Sequence, residues 1–302
     1  ARLRAKTQSL PDADQLKQYA TRSFEDIIYA LNKNNILDLT DYLKPTFTYG
    51  AIDTALRSHH IAAIKELKRI TPQTYHRFLT AYLKKFKVRV LKNLVRQQHI
   101  EHAETTKQLP RSLRFSLAFR DQPTPGLDDI QQELQGTQLG DIFNDHEDSI
   151  RNGDYDAFEH DLNIHLLQQQ LKHAPTQTAK TYVKQNIDRL NLSSSLKNTS
   201  TYAEGGRLPT EALDKATTIN DYNTILTEHN YPTAETKDNL HKVFRQHLKA
   251  HADKLSGRQP LSDNIIISYL IEKAYAMKNL NILLKLTYHE KPAEHIRNTL
   301  IT

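Results

Sequence analysis

Cysteine and tryptophan are missing from the 302 residues, and methionine occurs once, at Met277. Without cysteine there is no disulfide staple, no thiolate metal site and no cysteine nucleophile. That composition fits a reducing compartment. Glycine (8) and proline (11) are few, which argues against many short strands joined by tight turns. No apolar run approaches the ~20 residues that span a bilayer; Ile265-Ile266-Ile267-Ser268-Tyr269-Leu270-Ile271 is far too short. The basic start Ala1-Arg2-Leu3-Arg4 leads into no apolar core, so no signal peptide is expected there.

Chemical motifs are equally scarce. The chain has no GxxxxGK(S/T) phosphate loop, no GxGxxG after a strand, no HExxH and no GxSxG elbow. Gly205-Gly206-Arg207 is a lone glycine pair and reads as a turn. Fifteen histidines invite a metal reading. His247 and His251, and Asp161 and His165, stand four apart on expected helices, but a metal site needs three or four ligands. Helix-surface histidines explain both pairs. His59 and His60 face different sides. Asp128, Asp129, Asp145 and Asp148 sit where helix starts and solvation account for them. No nucleophile, base and orienting group stand out together. The expectation is a protein without catalysis, metal or cofactor.

What is present is helical periodicity. Hydrophobic residues make up 38% and charged residues 25%, a polar but foldable balance. Phe78, Leu79, Tyr82, Leu83, Phe86, Val90, Leu91 and Leu94 follow the three-four spacing of a buried helix stripe, which predicts a helix from about Gln73 to His99. No run of alternating β-branched residues appears, so the fold is expected to be all-α. Further helices are expected over residues 1–22 with a break at Pro11, from Phe24 with Ser23 as N-cap, around Leu37–Leu43, and over Ile52–Ile70. Others are expected near 127, over 140–150, 154–173 and 176–196, and near 210–216, 218–229, 233–255 and 262–286. Pro232 suits the first turn of the third of the last group, and Ser262 or Asp263 the cap of the fourth.

The formal charge is +6 with a pI near 9.2. Such a balance attracts nucleic acid, anionic lipid or acidic protein. The charges are interspersed, and the densest stretch, Lys84-Lys85-Phe86-Lys87-Val88-Arg89, lies in an amphipathic pattern. A solvated face or an acidic partner is the better reading, and nucleic acid is not expected.

The closing helix has two echoes. Asn279-Leu280-Asn281-Ile282-Leu283-Leu284-Lys285 is matched by Asn191-Leu192-Ser193-Ser194-Ser195-Leu196-Lys197 and by Val90-Leu91-Lys92-Asn93-Leu94-Val95-Arg96. An earlier marker also occurs three times: Phe24 to Leu31, Leu127 to Leu134 and Ile219 to Leu226 pair an apolar residue with Leu seven later. About 60 to 66 residues separate first from second marker in each copy, and the copies themselves repeat at a period of about one hundred residues, far beyond a solenoid repeat. Leu10-Pro11, Leu109-Pro110 and Leu208-Pro209 precede the modules. Three helical modules are therefore expected, over residues 1–105, 106–203 and 204–302. Pro123-Thr124-Pro125-Gly126 and Glu204-Gly205-Gly206-Arg207-Leu208-Pro209 act as hinges. Each closing helix is expected to bury its apolar face within its own module. Asn191 and Asn279 read equally well as surface residues or as half-buried contacts to a neighbouring loop.

These motifs together resemble the C subunits of the archaeal and bacterial A/V-type ATP synthases, relatives of the d subunits of vacuolar ATPases. Ala1-Arg2-Leu3-Arg4 is similar to the family's N-terminal Ala-Arg-x-Arg. Asp188, Asn191-Leu192 and Lys197 resemble its Asp-x-x-Asn-Leu-x-x-x-Leu-Arg helix. Glu204-Gly205-Gly206-Arg207-Leu208 resembles the Gly-Gly-Arg turn, and Pro260-Leu261 through Lys285 the closing helix. Val90 stands where the family has Asn, and Lys197 and Lys285 where it has Arg. The resemblance implies three helical domains forming a pseudo-threefold funnel. It implies a non-catalytic central-stalk socket that couples the rotating shaft to the membrane proteolipid ring for ion transport. Its place would be peripheral, on the cytoplasmic face of the membrane. Candidate partner contacts are Arg96, Lys197 and Lys285, which recur at one marker position, and Lys84, Lys85, Lys87 and Arg89. For the first three, capping of helix-end carbonyls is an equal reading. The rivals are an α-helical nucleic-acid-binding protein, which needs clustered cations with interleaved aromatics, and a generic helical scaffold.

Overall fold

Helices α1 (Ala13–Tyr19), α2 (Phe24–Lys33) and α3 (Tyr49–Ile70) open the chain. A 3₁₀ turn (Gln73–Tyr75) leads into α4 (His76–Gln97), followed by α5 (Leu127–Leu134), α6 (Gln138–Asp145), α7 (Glu147–Arg151) and α8 (Asp156–Lys172). Then come α9 (Gln177–Leu196), α10 (Thr210–Lys215), α11 (Ile219–Glu228), α12 (Lys237–Arg258), α13 (Asn264–Tyr288) and α14 (Ala293–Thr299). This computed structural model describes residues 11, 13–34, 49–98, 125–199, 201–258 and 264–301, and holds no strand among them. The fold is all-α. The expected helix around Leu37–Leu43, the caps Ser262 and Asp263, and Pro123 and Thr124 of the first hinge lie outside the described residues.

The three early markers prove to be the same structural position. Phe24, Leu127 and Ile219 are each the first residue of a helix, with an Asp three positions after the cap. Ser23 Oγ accepts from Asp26 N at 3.1 Å. Thr218 and Asp221 satisfy one another's backbone, Asp221 N to Thr218 Oγ1 at 3.3 Å and Thr218 N to Asp221 Oδ2 at 2.7 Å. Gly126 has no side chain to reciprocate, so only its N–H donates, to Asp129 Oδ2 at 2.9 Å. Each cap occupies donors that the first helical turn leaves open, and the acid favours the positive helix end.

The helix ends also repeat. Asn198, Asn230 and Glu290 adopt left-handed φ values of 57°, 60° and 53°. The following amide then reaches back to a carbonyl in the last helical turn: Thr199 N to Ser194 O, Tyr231 N to Leu226 O and Lys291 N to Leu286 O. Asn tolerates that conformation better than Glu does.

Two compact units result: residues 73–173, and residues 1–72 together with 174–302. In the first, α4 packs on α8, and α6 on α5 and α8. The Phe143 and Phe158 rings meet edge to face at 5.9 Å in its core, and Ile130, Leu134, Ile150 and Leu162 are buried with them. In the second unit, α13 packs on α12 and also on α1, α2, α3 and α14. Ala276, Met277, Leu280, Leu283 and Leu284 of α13 share one core with Leu16, Ile27, Ile28, Leu31 and Ile52. A second core joins Leu192 of α9 to Leu208, Leu213, Tyr222, Leu226, Leu240 and Phe244.

This packing departs from the expectation that each closing helix buries its face within its own module. The closing helix α9 packs on α10, α12 and α13, and α4 packs on α8. Only α13 leans heavily on its own predecessor, α12, and its far end is buried by α1–α3. Element bounds differ as well. The span expected over 140–150 divides into α6 and α7, and α12 begins at Lys237, leaving Pro232 in the preceding loop.

Candidate functional site

The junction between α9 and the Gly-Gly-Arg turn is the most densely bonded point built from the motifs. Asp188, on the buried side of α9, is wholly inaccessible. Its Oδ1 accepts from Arg207 N at 2.6 Å and Leu208 N at 2.9 Å. Tyr231 donates its phenol to Oδ2 at 2.5 Å. Burial pushes the Asp188 carboxyl above the ordinary range, while the two amides, the phenol and the Arg207 charge act the other way. Tyr231 is pushed up by burial and by Asp188. It stacks on Phe244 at 4.5 Å, with the Arg207 guanidinium 5.3 Å from its centroid and also donating to His229 O at 3.1 Å.

Gly206 is required by this closeness. A Cβ there would lie 2.4 Å from Asp188 Oδ1, and that oxygen is tied to two amides. Gly205 turns the chain with φ of 88°, a left-handed conformation that glycine adopts without steric cost.

One turn further along α9, Asn191 closes a second clamp. Its Nδ2 donates to Ala203 O at 2.9 Å and its Oδ1 accepts from Ala203 N at 2.8 Å. Asn279 repeats the arrangement on α13, holding Ile301 O at 2.9 Å and Ile301 N at 2.9 Å. Both amides are buried, so a loop contact, not a surface position, explains the shared Asn. Val90 occupies the same marker position on α4, buried and apolar. Ser195 adds bonds from α9 to Leu213 O at 2.5 Å and to the Tyr222 hydroxyl at 2.8 Å. The site chains one element to the next, its polar groups bonding one another.

The cations singled out by sequence sit on separate supports. Lys84, Lys87 and Arg89 are exposed on α4, while Phe86 and Val88 between them are buried. Lys85 bends over the Tyr82 ring, with Nζ 3.6 Å from its centroid. The Lys84 charge acts on His165 of α8, whose pKa burial and that charge lower. Arg96 ion-pairs with Glu159 of α8 at 2.5 Å. Lys92 joins it, donating to Asn163 Oδ1 at 2.8 Å and Glu159 O at 2.9 Å. Lys197 and Lys285 are exposed. Lys197 is the C-cap residue of α9, its N–H bonding helix-end carbonyls, and Lys285 lies in the last turn of α13. Thus Arg96 bridges two helices, whereas Lys197 and Lys285 stand at helix ends.

His247, paired with His251 in the sequence, rests its ring against Tyr231, and no group of three metal-binding side chains occurs among the described residues. No described helix is long and apolar enough to cross a membrane. Sequence reasoning named Asp188, Gly206 and Arg207 but missed Tyr231, 43 residues downstream of the carboxylate it serves. A lone tyrosine ahead of a proline carries no local signal of that role.

Comparison with known proteins gives a match of residues 1–299 to the family described as ATP synthase (C/AC39) subunit. No curated protein matches the chain.

Proposed function

The chain belongs to the ATP synthase (C/AC39) subunit family, and from that premise we propose that it is the non-catalytic socket of the central stalk, coupling the rotating shaft to the membrane proteolipid ring. Its three modules form a pseudo-threefold funnel peripheral to the membrane, on the cytoplasmic side. The family match over residues 1–299 carries the reading.

Two structural features support it. Torque transfer needs stiff members, and α3, α4, α9, α12 and α13 are each 20 to 25 residues long. An α-helix rises 1.5 Å per residue, so each spans on the order of 30 Å or more. The second feature is the order of packing. The closing helix of the first module packs on α8 of the second, that of the second on α10 and α12 of the third, and that of the third on α1–α3 of the first.

Lys84, Lys87 and Arg89 form an exposed cationic face on α4, suited to an acidic surface of shaft or ring. Arg96, which also pairs with Glu159, Lys197 and Lys285 are further contact candidates. The test is recovery of the tagged protein from native membranes, with its companions identified by mass spectrometry. Proteolipid and central-shaft components are expected. Recovery of nucleic acid or unrelated soluble proteins in their place overturns the reading. Neutralising Lys84, Lys85, Lys87 and Arg89 together is expected to weaken that recovery more at low salt than at high salt; salt-independent, undiminished assembly removes the face from the proposal.

A further inference from the structure

Among the described residues, three cations on three packed helices form no ion pair. Arg189 lies on α9, Arg245 on α12 and Lys278 on α13, and each of these helices packs on the other two. Their charges act on one another in all three pairings. All three side chains are half-buried. Arg189 Nε and Arg245 Nε are shut off from solvent with no acceptor in reach. Two other cations drawn away from the open surface have carboxylates: Arg57 has Asp53, and Lys92 has Glu159. For Arg189 and Lys278 no carboxylate lies among the groups acting on them; the remaining neighbours of Arg189 are the phenols of Tyr182 and Tyr275.

The phenols do not neutralise it. Tyr275 donates its proton to Arg245 O at 2.7 Å, and burial pushes that phenol up to about 12. His241, on α12 one turn before Arg245, feels Arg245, Arg189 and Lys197, again only positive charge. Partial burial of like charges is costly unless they are paired. The desolvation is visible at Lys278, whose ammonium is brought down to about 8 by burial first and by the two arginines second.

We propose that Arg189, Arg245 and Lys278 form a binding site for a phosphate-class oxyanion. A carboxylate offers two oxygens in one plane and suits one guanidinium fork. Donors arriving from three helices ask for acceptors in several directions and for more than one negative charge. A phosphate group supplies both. Free phosphate and the phosphate of a lipid headgroup share this chemistry. The site is independent of the stalk proposal, since it rests on side chains within one compact unit.

The experiment is thermal unfolding of the intact chain in millimolar inorganic phosphate against sodium chloride of equal ionic strength. A ligand that binds only the folded state raises the midpoint by mass action, so a rise of a few degrees is expected for the wild type. Arg245→Gln and Lys278→Met are expected to lose the rise. In phosphate-free buffer Lys278→Met is expected to melt no lower than wild type, because it removes an uncompensated charge; a merely structural lysine would give a lower midpoint. Lys285→Gln, an exposed cation on the same helix, keeps the phosphate response. In parallel, flotation is measured with phosphatidylcholine vesicles with and without phosphatidic acid. Flotation that needs phosphatidic acid and Arg245 assigns the site to a headgroup, and a midpoint rise without flotation assigns it to soluble phosphate. Neither response, or an equal response in the variants, overturns the site.

Discussion

Asp188 shows how one side chain can fix a turn nineteen residues away. Its three bonds reach Arg207, Leu208 and Tyr231, so truncation strands two amides and a phenol in the interior. Leaving a buried donor unsatisfied costs about 1–3 kcal/mol, and Asp188→Ala is expected to lose about 3 kcal/mol or more in urea unfolding. Asp188→Asn keeps an oxygen for the two amides and can meet the Tyr231 hydroxyl with its own N–H, so a loss of about 1 kcal/mol is expected. An equal loss in both variants would mean that charge, not bonding, holds the turn. Gly206→Ala places a methyl 2.4 Å from a fixed oxygen and is expected to cost about 1–3 kcal/mol. Lys278 predicts a pH dependence. Below about 8 the lysine is protonated both folded and unfolded, and its burial penalty stays constant. Between about 8 and 10.5 only the unfolded chain keeps the proton, so stability rises with pH. Tyr275 and Tyr269, both raised to about 12, reverse the trend above pH 10. Arg245 and Arg189 are the charged groups that act on Lys278. Urea unfolding in phosphate-free buffer at pH 8 and pH 10 is expected to show the rise in wild type and a smaller one in Lys278→Met.

At the scale of elements, the long helices matter through their ends. Helix α13 stops on Glu290 in a left-handed conformation that α9 and α11 give to Asn. A side chain of this kind there costs roughly 1–2 kcal/mol. Glu290→Gly is expected to raise stability by up to about 1 kcal/mol, read as a shifted denaturation midpoint with unchanged slope. The helices themselves were legible in the sequence, because three-four apolar spacing and Ser or Thr caps act locally. The loop before α12 was not. Pro232 marks a helix start only if the chain has no better use for the next amides. Here Asn223 holds Ala234 N at 3.0 Å and Ala234 O at 2.9 Å, which delays the helix to Lys237. The recurring Asn positions were legible as an equivalence, while their contacts with Ala203 and Ile301 were not, since period and spacing identify a buried face without naming what covers it. The cation trio had no local signal at all, its members being spread over three helices.

At the scale of the molecule, the same limit explains why the destination of each closing helix was hidden. Apolar residues on α13 predicted burial, and only the folded chain assigns them to Leu16, Ile27, Ile28 and Leu31. Residues 73–173 are continuous and have a core of their own. Expressed alone, that segment is expected to unfold cooperatively with a defined midpoint by circular dichroism. Residues 174–302 expressed alone lack α1–α3 and leave Met277, Leu280, Leu283 and Leu284 uncovered; they are expected to aggregate or to melt without a transition. Cooperative folding of the second fragment would place its stability in the core around Leu192, Leu213, Tyr222 and Phe244 and not in the cover that α1–α3 give α13. The shared core of α13 and the first helices also bears on how the protein is made. A ribosome delivers the chain from its N-terminus at about 5–20 residues per second. Leu16, Ile27, Ile28 and Leu31 thus leave the exit tunnel long before the helix that covers them has been translated. For that interval the nascent chain exposes apolar side chains that the finished fold buries, which is the kind of surface that makes a chain in synthesis prone to aggregate.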